Sequence, residues 1–514
     1  VGHTLMLDRP PWGTLGLQAR LALTPAWQDV VITTAVTAPS QPGPLRLNLS
    51  LANAVGTVEF ADFSLRAGGG WVPPATESLA TQMGIPPRQA GRDVMRDFMA
   101  FLIDTEMATT RRLVHLLKDE LGCRMPVVDT QVTYGGPAGV LRESSLCDFI
   151  DIHGYWEHPN YTRDAKGAVI GFRIPNSTQV AALSGGVLAS MAQGRVQGRA
   201  FSVSEYNTPA PNDHGAELFP LLALMAARQD WDAVYAYTYR DFGKDYDNTA
   251  LKRYFHLIGR ANLLVHVPFA ATIFRLGAAP ALPAASGVLL ALPAARIAEL
   301  TCDHASLSAL WSEAGLPGGT AWFQRVETAL GATAEPTVQG ALPLASGLRR
   351  SADGALSWYP DDPAGAWLSY AAPMARLLVG HVGGRSFALG DVRVTVAARP
   401  WPRSLPAYAC ITLTALDGQP VAVSRRLLLA ASARTENLGM AWNAERTTLT
   451  GADGWGRGPT RSEAVPLQLD LPGTPVRLTV LDAQGRPAGP ARPAAASLTT
   501  SADDRTLWYL LERP

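Results

Sequence analysis

Alternating apolar and polar positions near the start of the chain predict an all-β region. The pattern occurs in residues 30–36, 45–51 and 57–65, and fits strands with one buried face. Residues rich in Pro and Gly separate these segments, as turns do, and the run Gly68–Gly70 marks a boundary. We therefore expect residues 1–70 to form a partial β-sandwich.

The pattern changes to helical spacing at about residue 90. Apolar residues recur every three or four positions between Arg92 and Leu121, and Gly122 ends the run. Strand and helix patterns then alternate, which is typical of a parallel sheet with covering helices. Residues 71–280 are therefore predicted to form a β/α domain. Its strands are predicted at 126–134, 149–155, 201–205 and 233–239.

The chain returns to strand patterns beyond the Pro- and Ala-rich segment 276–286. We expect a β-rich accessory domain over residues 281–400 and a C-terminal β-sandwich over residues 401–514. The predicted fold class is therefore multi-domain, α/β plus all-β.

The composition excludes several classes of function. The 514 residues include 44 basic and 44 acidic residues without a block of like charge, so neither nucleic acid nor a membrane is expected as a partner. No apolar run reaches the roughly 18 residues that span a bilayer. The four cysteines are far apart and form no CxxC pair, so no metal site and no cofactor is predicted.

Two predicted strands end in side chains suited to chemistry. The segment Phe201–Asn207 ends in the carboxylate of Glu205 and an amide, and Asp148–Trp156 ends in His153 and two aromatic rings. The carboxyl ends of buried parallel strands open into active sites. A carboxylate fixed on a strand suits a nucleophile, and aromatic rings stack on the apolar faces of sugars.

Neighbouring residues complete this candidate site. Asn207 is predicted to bond to sugar hydroxyls, and Tyr239 at the next strand end is predicted to hydrogen-bond Glu205 and keep it ionised. Other interpretations stay open, because a glutamate at a strand end is commonly just solvated. Metal-dependent hydrolysis through Asp151, His153 and His158 is disfavoured, since their spacing suits neither helical nor strand ligation.

The order of the motifs resembles the second half of a clan A glycoside hydrolase, closest to multi-modular bacterial proteins of the family 5 type. The resemblance covers about residues 90–275. That clan has a (β/α)8 barrel and retaining chemistry from one Glu after strand four and one after strand seven. The motifs are Val127-Val-Asp-Thr-Gln131-Val-Thr-Tyr134, Asp151-Ile-His153-Gly-Tyr155-Trp156, Ser204-Glu205-Tyr206-Asn207 and Ala233-Val-Tyr-Ala-Tyr-Thr-Tyr239.

The resemblance implies that these four strands are barrel strands five to eight and that Glu205 is the nucleophile. It also implies a β-linked polysaccharide as substrate, with β-glucan favoured, and a secreted or periplasmic location. Residues 10–66, with Trp12 and Trp27, similarly resemble a carbohydrate-binding module. The implied substrate-binding residues are Gln131, Tyr134, His153, Tyr155, Trp156, Asn207 and Tyr239.

The chain departs from the clan before Arg92. No Asn-Glu motif for the acid/base is found there, and residues 67–91 have no room for four βα units. We expect the acid/base and strands one to four to lie upstream of Val1 or on a second chain or segment. The alternative is a rearranged relative, a non-catalytic glycan-binding or scaffold protein.

Overall fold

The computed structural model describes most of the chain in two compact units. One unit comprises residues 1–112 and 298–303, and the other comprises residues 113–297 and 304–514. In the described part of the chain, every helix is too short or too polar to cross a membrane. The described residues are 2–7, 14–32, 45–51, 56–62, 76–78, 83–87, 90–241, 246–304, 306–402, 405–451 and 453–514.

The first unit contains a three-stranded antiparallel sheet in the order β2-β1-β3. β3 confirms the strand predicted at 45–51, whereas residues 57–62 form no strand and Trp27 is 69% exposed. Trp12, residues 33–36 and Gly68–Gly70 lie outside the described residues. The strands are β1 (Gly2–Leu7), β2 (Thr14–Arg20) and β3 (Leu45–Ser50).

The long helix predicted from Arg92 is confirmed. Helix α1 (Arg92–His115) continues into a π-helical turn at Leu116–Glu120, and Gly122 follows with a positive φ of 64°. A glycine adopts this left-handed conformation without steric cost, so the helix ends where the sequence indicates. In the first unit, Arg92 forms ion pairs with Glu299 at 2.9 Å and Asp303 at 2.6 Å.

The second unit begins with α/β structure built on three parallel strands in the order β4-β7-β8. A separate antiparallel hairpin, β5-β6, lies between β4 and the next helix. The strands are β4 (Ile150–Tyr155), β5 (Asn160–Arg163), β6 (Val169–Arg173), β7 (Phe201–Asn207) and β8 (Ala233–Ala236). The helices are α2 (Pro137–Leu146), α3 (Gly186–Ala192), α4 (Leu218–Arg228), α5 (Ala261–Leu264) and α6 (Val267–Phe274).

Three of the four predicted parallel strands are confirmed, but the strand predicted at 126–134 is wrong. Residues 132–134 form a 3₁₀ turn, and 126–131 form no ladder. Side chains take the backbone groups that a ladder needs: Val127 N–H donates to the Asp148 carboxylate at 2.6 Å, and Arg142 donates to the Thr130 carbonyl at 2.5 Å. The described strands thus form an open sheet with β4 and β8 at its edges, and a closed barrel is not seen among them.

Residues 288–339 add a small mixed sheet in the order β10-β9-β11. β9 and β10 are parallel, with two helices between them, and β11 is antiparallel to β9. The start of the predicted β-rich accessory domain is therefore α/β. Its elements are β9 (Val288–Pro293), α7 (Ile297–Asp303), α8 (Leu307–Glu313), β10 (Val326–Gly331) and β11 (Thr337–Gln339).

The rest of the chain forms antiparallel sheets, as predicted. An eight-stranded sheet has the order β12-β13-β14-β15-β18-β19-β25-β23, and a four-stranded sheet has the order β16-β17-β22-β24. Contacts of β16 with β14 and β15 bring the two sheets together. The strands are β12 (Arg349–Arg350), β13 (Leu356–Tyr359), β14 (Trp367–Ala372), β15 (Ala375–His381), β16 (Ser386–Leu389), β17 (Val392–Val396), β18 (Tyr408–Ala415), β19 (Arg426–Ser432), β20 (Thr435–Leu438), β21 (Arg457–Ser462), β22 (Leu467–Asp470), β23 (Arg477–Val480), β24 (Ser497–Thr499) and β25 (Trp508–Glu512).

The predicted domain boundary between residues 400 and 401 falls inside the eight-stranded sheet. β15 and β18 lie on either side of that boundary and pair directly along their whole length. Helix α6 contacts both strands, so the sheet also packs against the α/β part of the unit. The buried His266 lies within hydrogen-bond distance of Thr412 and Ser432, at 2.9 and 2.8 Å.

Candidate functional site

Two side chains of β4, on either side of a glycine, point toward the candidate site. A Cβ on Gly154 would lie 2.8 Å from Val187 and 3.1 Å from Met191, so this position faces helix α3. Successive residues of a strand point to opposite faces of a sheet. His153 and Tyr155 therefore both point away from α3.

A β-bulge in β7 turns Glu205 to the same face. Ile152 pairs with Val203 but His153 pairs with Glu205, so Ser204 is an extra residue in the ladder. Strict alternation would send Glu205 to the face of Val203. The bulge instead places both Ser204 and Glu205 on the face opposite to Val203. The next residue, Tyr206, is again buried on the side of helix α3. Bulges commonly re-aim side chains next to active sites.

An open cleft of about 590 Å³ lies where the carboxyl ends of the parallel strands meet. Six of its lining side chains carry rings, and two carry carboxylates. Such a mixture of aromatic surface and a few polar groups is typical of small-molecule and cofactor sites. The lining residues are Tyr134, His153, Tyr155, His158, Glu205, Tyr237, Asp241 and Phe255.

Glu205 is the best-supported carboxylate in the cleft. The Tyr155 hydroxyl donates a hydrogen bond to Oε2 of Glu205, and Nδ1 of His153 lies 3.6 Å from the same oxygen. Burial, together with the hydrogen bond to Glu205, raises the pKa of Tyr155 above its ordinary value, so the hydroxyl remains a donor. The Tyr134 hydroxyl lies 3.0 Å from Nε2 of His153 and holds the imidazole from its other side.

The second carboxylate of the cleft, Asp241, lies within hydrogen-bond distance of Nε2 of His256. Burial alone raises the pKa of Asp241, but the hydrogen bond and the charge of His256 lower it below its usual value. Proton donors to leaving groups need a raised pKa. Asp241 is therefore better suited to accept hydrogen bonds from a ligand than to supply a proton.

Asn207 supports the cleft wall and does not line it. Its side-chain amide donates to the backbone carbonyls of Tyr237 and of Phe255, the latter at 2.7 Å, and its Oδ1 accepts from Arg260 at 3.1 Å. The residue is fully buried. Its predicted contact with sugar hydroxyls is corrected accordingly, because all these groups are used to tie the strand end to the following loop.

Three further predicted residues also lie outside the cleft lining. The Trp156 indole donates to the Ser177 carbonyl at 2.9 Å, and Gln131 donates to the Ser204 hydroxyl at 3.3 Å. Tyr239 is 52% exposed, and the predicted bond to Glu205 is made by Tyr155 instead. β8 ends at Ala236, so Tyr239 lies beyond the strand end and Tyr237 takes the lining position.

Sequence reasoning missed Tyr237, Asp241 and Phe255 and considered His158 only as a metal ligand. Tyr237 belongs to an alternating run with Tyr235 and Tyr239, but choosing among the three requires the end of β8. Asp241 and Phe255 lie in an irregular segment that gives no periodic signal. Their position depends on the loop after β8 folding back over the cleft.

The described residues also bear on whether the site could hold a metal ion. Among the described residues, no group of three or more His, Cys, Asp and Glu side chains is placed to hold a metal ion. Asp151, which the disfavoured metal hypothesis names as a ligand, accepts a hydrogen bond from the Ser202 hydroxyl. Fold and site together define an α/β and β-sheet protein with a ring-lined, carboxylate-bearing cleft. Comparison of the chain with protein-family models, curated proteins and solved structures found no match.

Proposed function

We propose that the protein is a retaining glycoside hydrolase of the clan A type, acting on a β-linked polysaccharide, with β-glucan favoured. The supporting observation is Glu205, which accepts a hydrogen bond from Tyr155 inside a cleft lined by rings. Tyr134, Tyr237 and Phe255 provide surfaces on which pyranose rings can stack. By analogy with this family, we also propose that the protein is secreted or periplasmic.

In the proposed reaction, Glu205 attacks the anomeric carbon, and the bond from that carbon to the leaving oxygen breaks. The Tyr155 hydroxyl keeps the carboxylate in one orientation during the attack. The acid/base protonates the leaving oxygen, and later takes a proton from the water that hydrolyses the glycosyl-enzyme ester. Glu205 then returns to its ionised form.

The proposal assigns β4, β7 and β8 to barrel strands six, seven and eight. Their consecutive parallel order, with helices between them, supports this assignment. Residues 126–134, which the resemblance assigns to strand five, form no strand. Strands one to four then belong to a second chain or segment. The acid/base carboxylate then belongs to the same second chain or segment, and retaining geometry puts it about 5 Å from Glu205.

Covalent labelling tests the nucleophile directly. We expect 2-deoxy-2-fluoro β-glucosides with an activated leaving group to form a stable adduct, which peptide mass spectrometry locates on Glu205. The activated leaving group needs little protonation, so the test does not depend on the acid/base. Glu205→Gln should remove the adduct, while the exposed control Glu445→Gln should retain it. An adduct elsewhere on the chain would refute Glu205 as the nucleophile.

One observation favours the alternative, a glycan-binding protein without catalysis. Asp241 is the other carboxylate among the described lining residues, and His256 holds it ionised. The same labelling experiment separates the two functions when it is run beside a binding assay on barley β-glucan. Binding by the wild-type protein without any adduct would support the alternative and contradict the hydrolase.

A further inference from the structure

Aromatic side chains continue beyond the cleft along one side. Phe255 and His158 line the cleft, and three further rings follow His158 through successive ring contacts. We call His158, Tyr161, Tyr254 and Trp455 the aromatic wall. The ring centroids are separated by 4.9 Å from Tyr155 to Phe255, 5.3 Å from Phe255 to His158, 5.7 Å from His158 to Tyr161, 5.4 Å from Tyr161 to Tyr254 and 5.5 Å from Tyr254 to Trp455.

Three separate segments build this wall, and the side chain of Asn437 ties two of them together. Tyr161 comes from β5, Tyr254 from the loop after β8, and Trp455 from the connection between β20 and β21. Asn437 accepts from the Leu251 N–H at 2.8 Å and donates to the Trp455 carbonyl at 2.8 Å. The segments of Tyr254 and Trp455 are therefore held together before a ligand binds, which lowers the entropic cost of binding.

The wall differs from a closed aromatic core in its exposure. Phe172 beneath it is 5% exposed and packs against both Tyr254 and Trp455. Tyr161, Tyr254 and Trp455 keep partial exposure, and His158 is exposed. Burial raises the pKa of both tyrosines, so their hydroxyls stay protonated and can donate to a ligand. Apolar ring faces with polar edges at a surface suit sugar rings.

We propose that the aromatic wall binds the glycan chain beyond the sugar that reacts at Glu205, so that the protein prefers long β-glucan chains to short oligosaccharides. This inference rests on the proposed function, because it extends the same cleft. It predicts that affinity rises with chain length and that the rise depends on the wall. It also gives the connection between β20 and β21 a direct part in substrate binding.

The test measures binding of cellobiose and cellohexaose by isothermal titration calorimetry, and of barley β-glucan by affinity electrophoresis. All variants carry Glu205→Gln, so that no cleavage occurs during the measurement. Tyr161→Ala should weaken cellohexaose binding roughly tenfold, equivalent to about 1.4 kcal/mol, with a smaller effect on cellobiose. Tyr161→Phe should lose less affinity than Tyr161→Ala, because the ring remains and only the hydroxyl is removed. Tyr359→Ala, a tyrosine of β13 outside the wall, is the control.

The outcomes separate this inference from the proposed function. If Tyr161→Ala leaves the ratio of the two dissociation constants unchanged, or if the protein binds none of the three probes, the wall does not bind glycan. The proposed hydrolase fails separately, when the wild-type protein forms no adduct with the fluorinated glucosides. If Tyr161→Ala abolishes the preference for long chains and the wild-type protein forms no adduct, the wall binds glycan but the proposed hydrolase function fails.

Discussion

At the scale of single residues, the hydrogen bond from Tyr155 orients the Glu205 carboxylate within the cleft. A hydrogen bond to an ionised group is stronger than one between neutral groups. Nδ1 of His153 lies beside the same oxygen at 3.6 Å, and the Glu205 side chain keeps 29% exposure toward the cleft. Glu205 is therefore held firmly and remains accessible, as a nucleophile requires.

We expect Tyr155→Phe to lower kcat/KM roughly ten- to a hundredfold, because a hydrogen bond to a charged group is worth about 1.5–3 kcal/mol. The measurement is steady-state hydrolysis of an aryl β-glucoside. Tyr235→Phe is the matched control, because Tyr235 is an exposed tyrosine of β8. Equal rates for Tyr155→Phe and the wild-type protein would show that the hydroxyl does not support the proposed nucleophile.

Part of this site could be predicted from the sequence. The ends of two strand patterns are enough to bring Glu205, His153 and Tyr155 together. The partner of Glu205 was assigned to Tyr239 because the sequence pattern runs to residue 239, whereas β8 ends at Ala236. The position of a strand end decides which side chain reaches a cleft, and strand ends carry the weakest sequence signal.

At the scale of elements, β7 is shaped by its bulge and held in place by Asn207. The bulge could not be predicted, because the apolar pattern of Phe201, Val203 and Tyr206 is compatible with a regular strand that continues into a loop. Asn207 bonds to two carbonyls of the chain that follows β8 and to Arg260. The end of the central strand is thereby fixed to the opposite wall of the cleft.

Asn207→Ala should lower the free energy of unfolding by about 3 kcal/mol, because it leaves buried carbonyls without a donor and the Arg260 guanidinium without one of its acceptors. Urea denaturation followed by tryptophan fluorescence measures the change. Asn160→Ala on the exposed hairpin strand β5 should stay within about 0.5 kcal/mol of the wild-type value. A similar loss in both variants would argue against the tying role of Asn207.

Strand patterns predicted the parallel sheet well where the backbone groups pair with neighbouring strands. They failed at 126–134, where the side chains of Asp148 and Arg142 occupy backbone groups of Val127 and Thr130. An apolar run does not reveal such competition between side chains and a ladder. One-sided burial leaves a clear alternation in strands of the four-stranded sheet such as β16, β17 and β22, whereas β15 and β18 of the eight-stranded sheet are buried on both faces and read as continuous apolar runs.

At the scale of the whole molecule, the buried Glu217 lies where the α/β part of the second unit meets the eight-stranded sheet. It accepts hydrogen bonds from Thr178 at 2.5 Å and from the Gln179 N–H at 2.7 Å, and the Tyr408 hydroxyl of β18 lies 3.4 Å from it. Burial raises the pKa of Glu217 to about 8. Burial likewise raises the pKa of Glu143 to about 8 in the α/β part.

These two carboxyl groups make the stability of the second unit depend on pH. Below pH 4.5, the ordinary pKa, both the folded and the unfolded state hold these two protons, and the contribution of the two groups to stability is fully present. As the pH rises toward about 8, the unfolded state loses its protons first, so the free energy of unfolding falls. The loss is on the order of 3–5 kcal/mol for each fully buried group.

Glu217→Gln should therefore make the decrease in unfolding free energy between pH 5 and 8 smaller by on the order of 3–5 kcal/mol, because the amide carries no proton that titrates in this range. Urea denaturation at a series of pH values gives the slope for each variant. Glu313→Gln is the matched control, since Glu313 is 72% exposed and should keep the wild-type slope. If Glu217→Gln and the wild-type protein lose stability equally between pH 5 and 8, Glu217 is ionised in the folded state. The contact between the α/β part and the eight-stranded sheet would then hold a buried charge, and its stability would rest on the three hydrogen bonds to that charge.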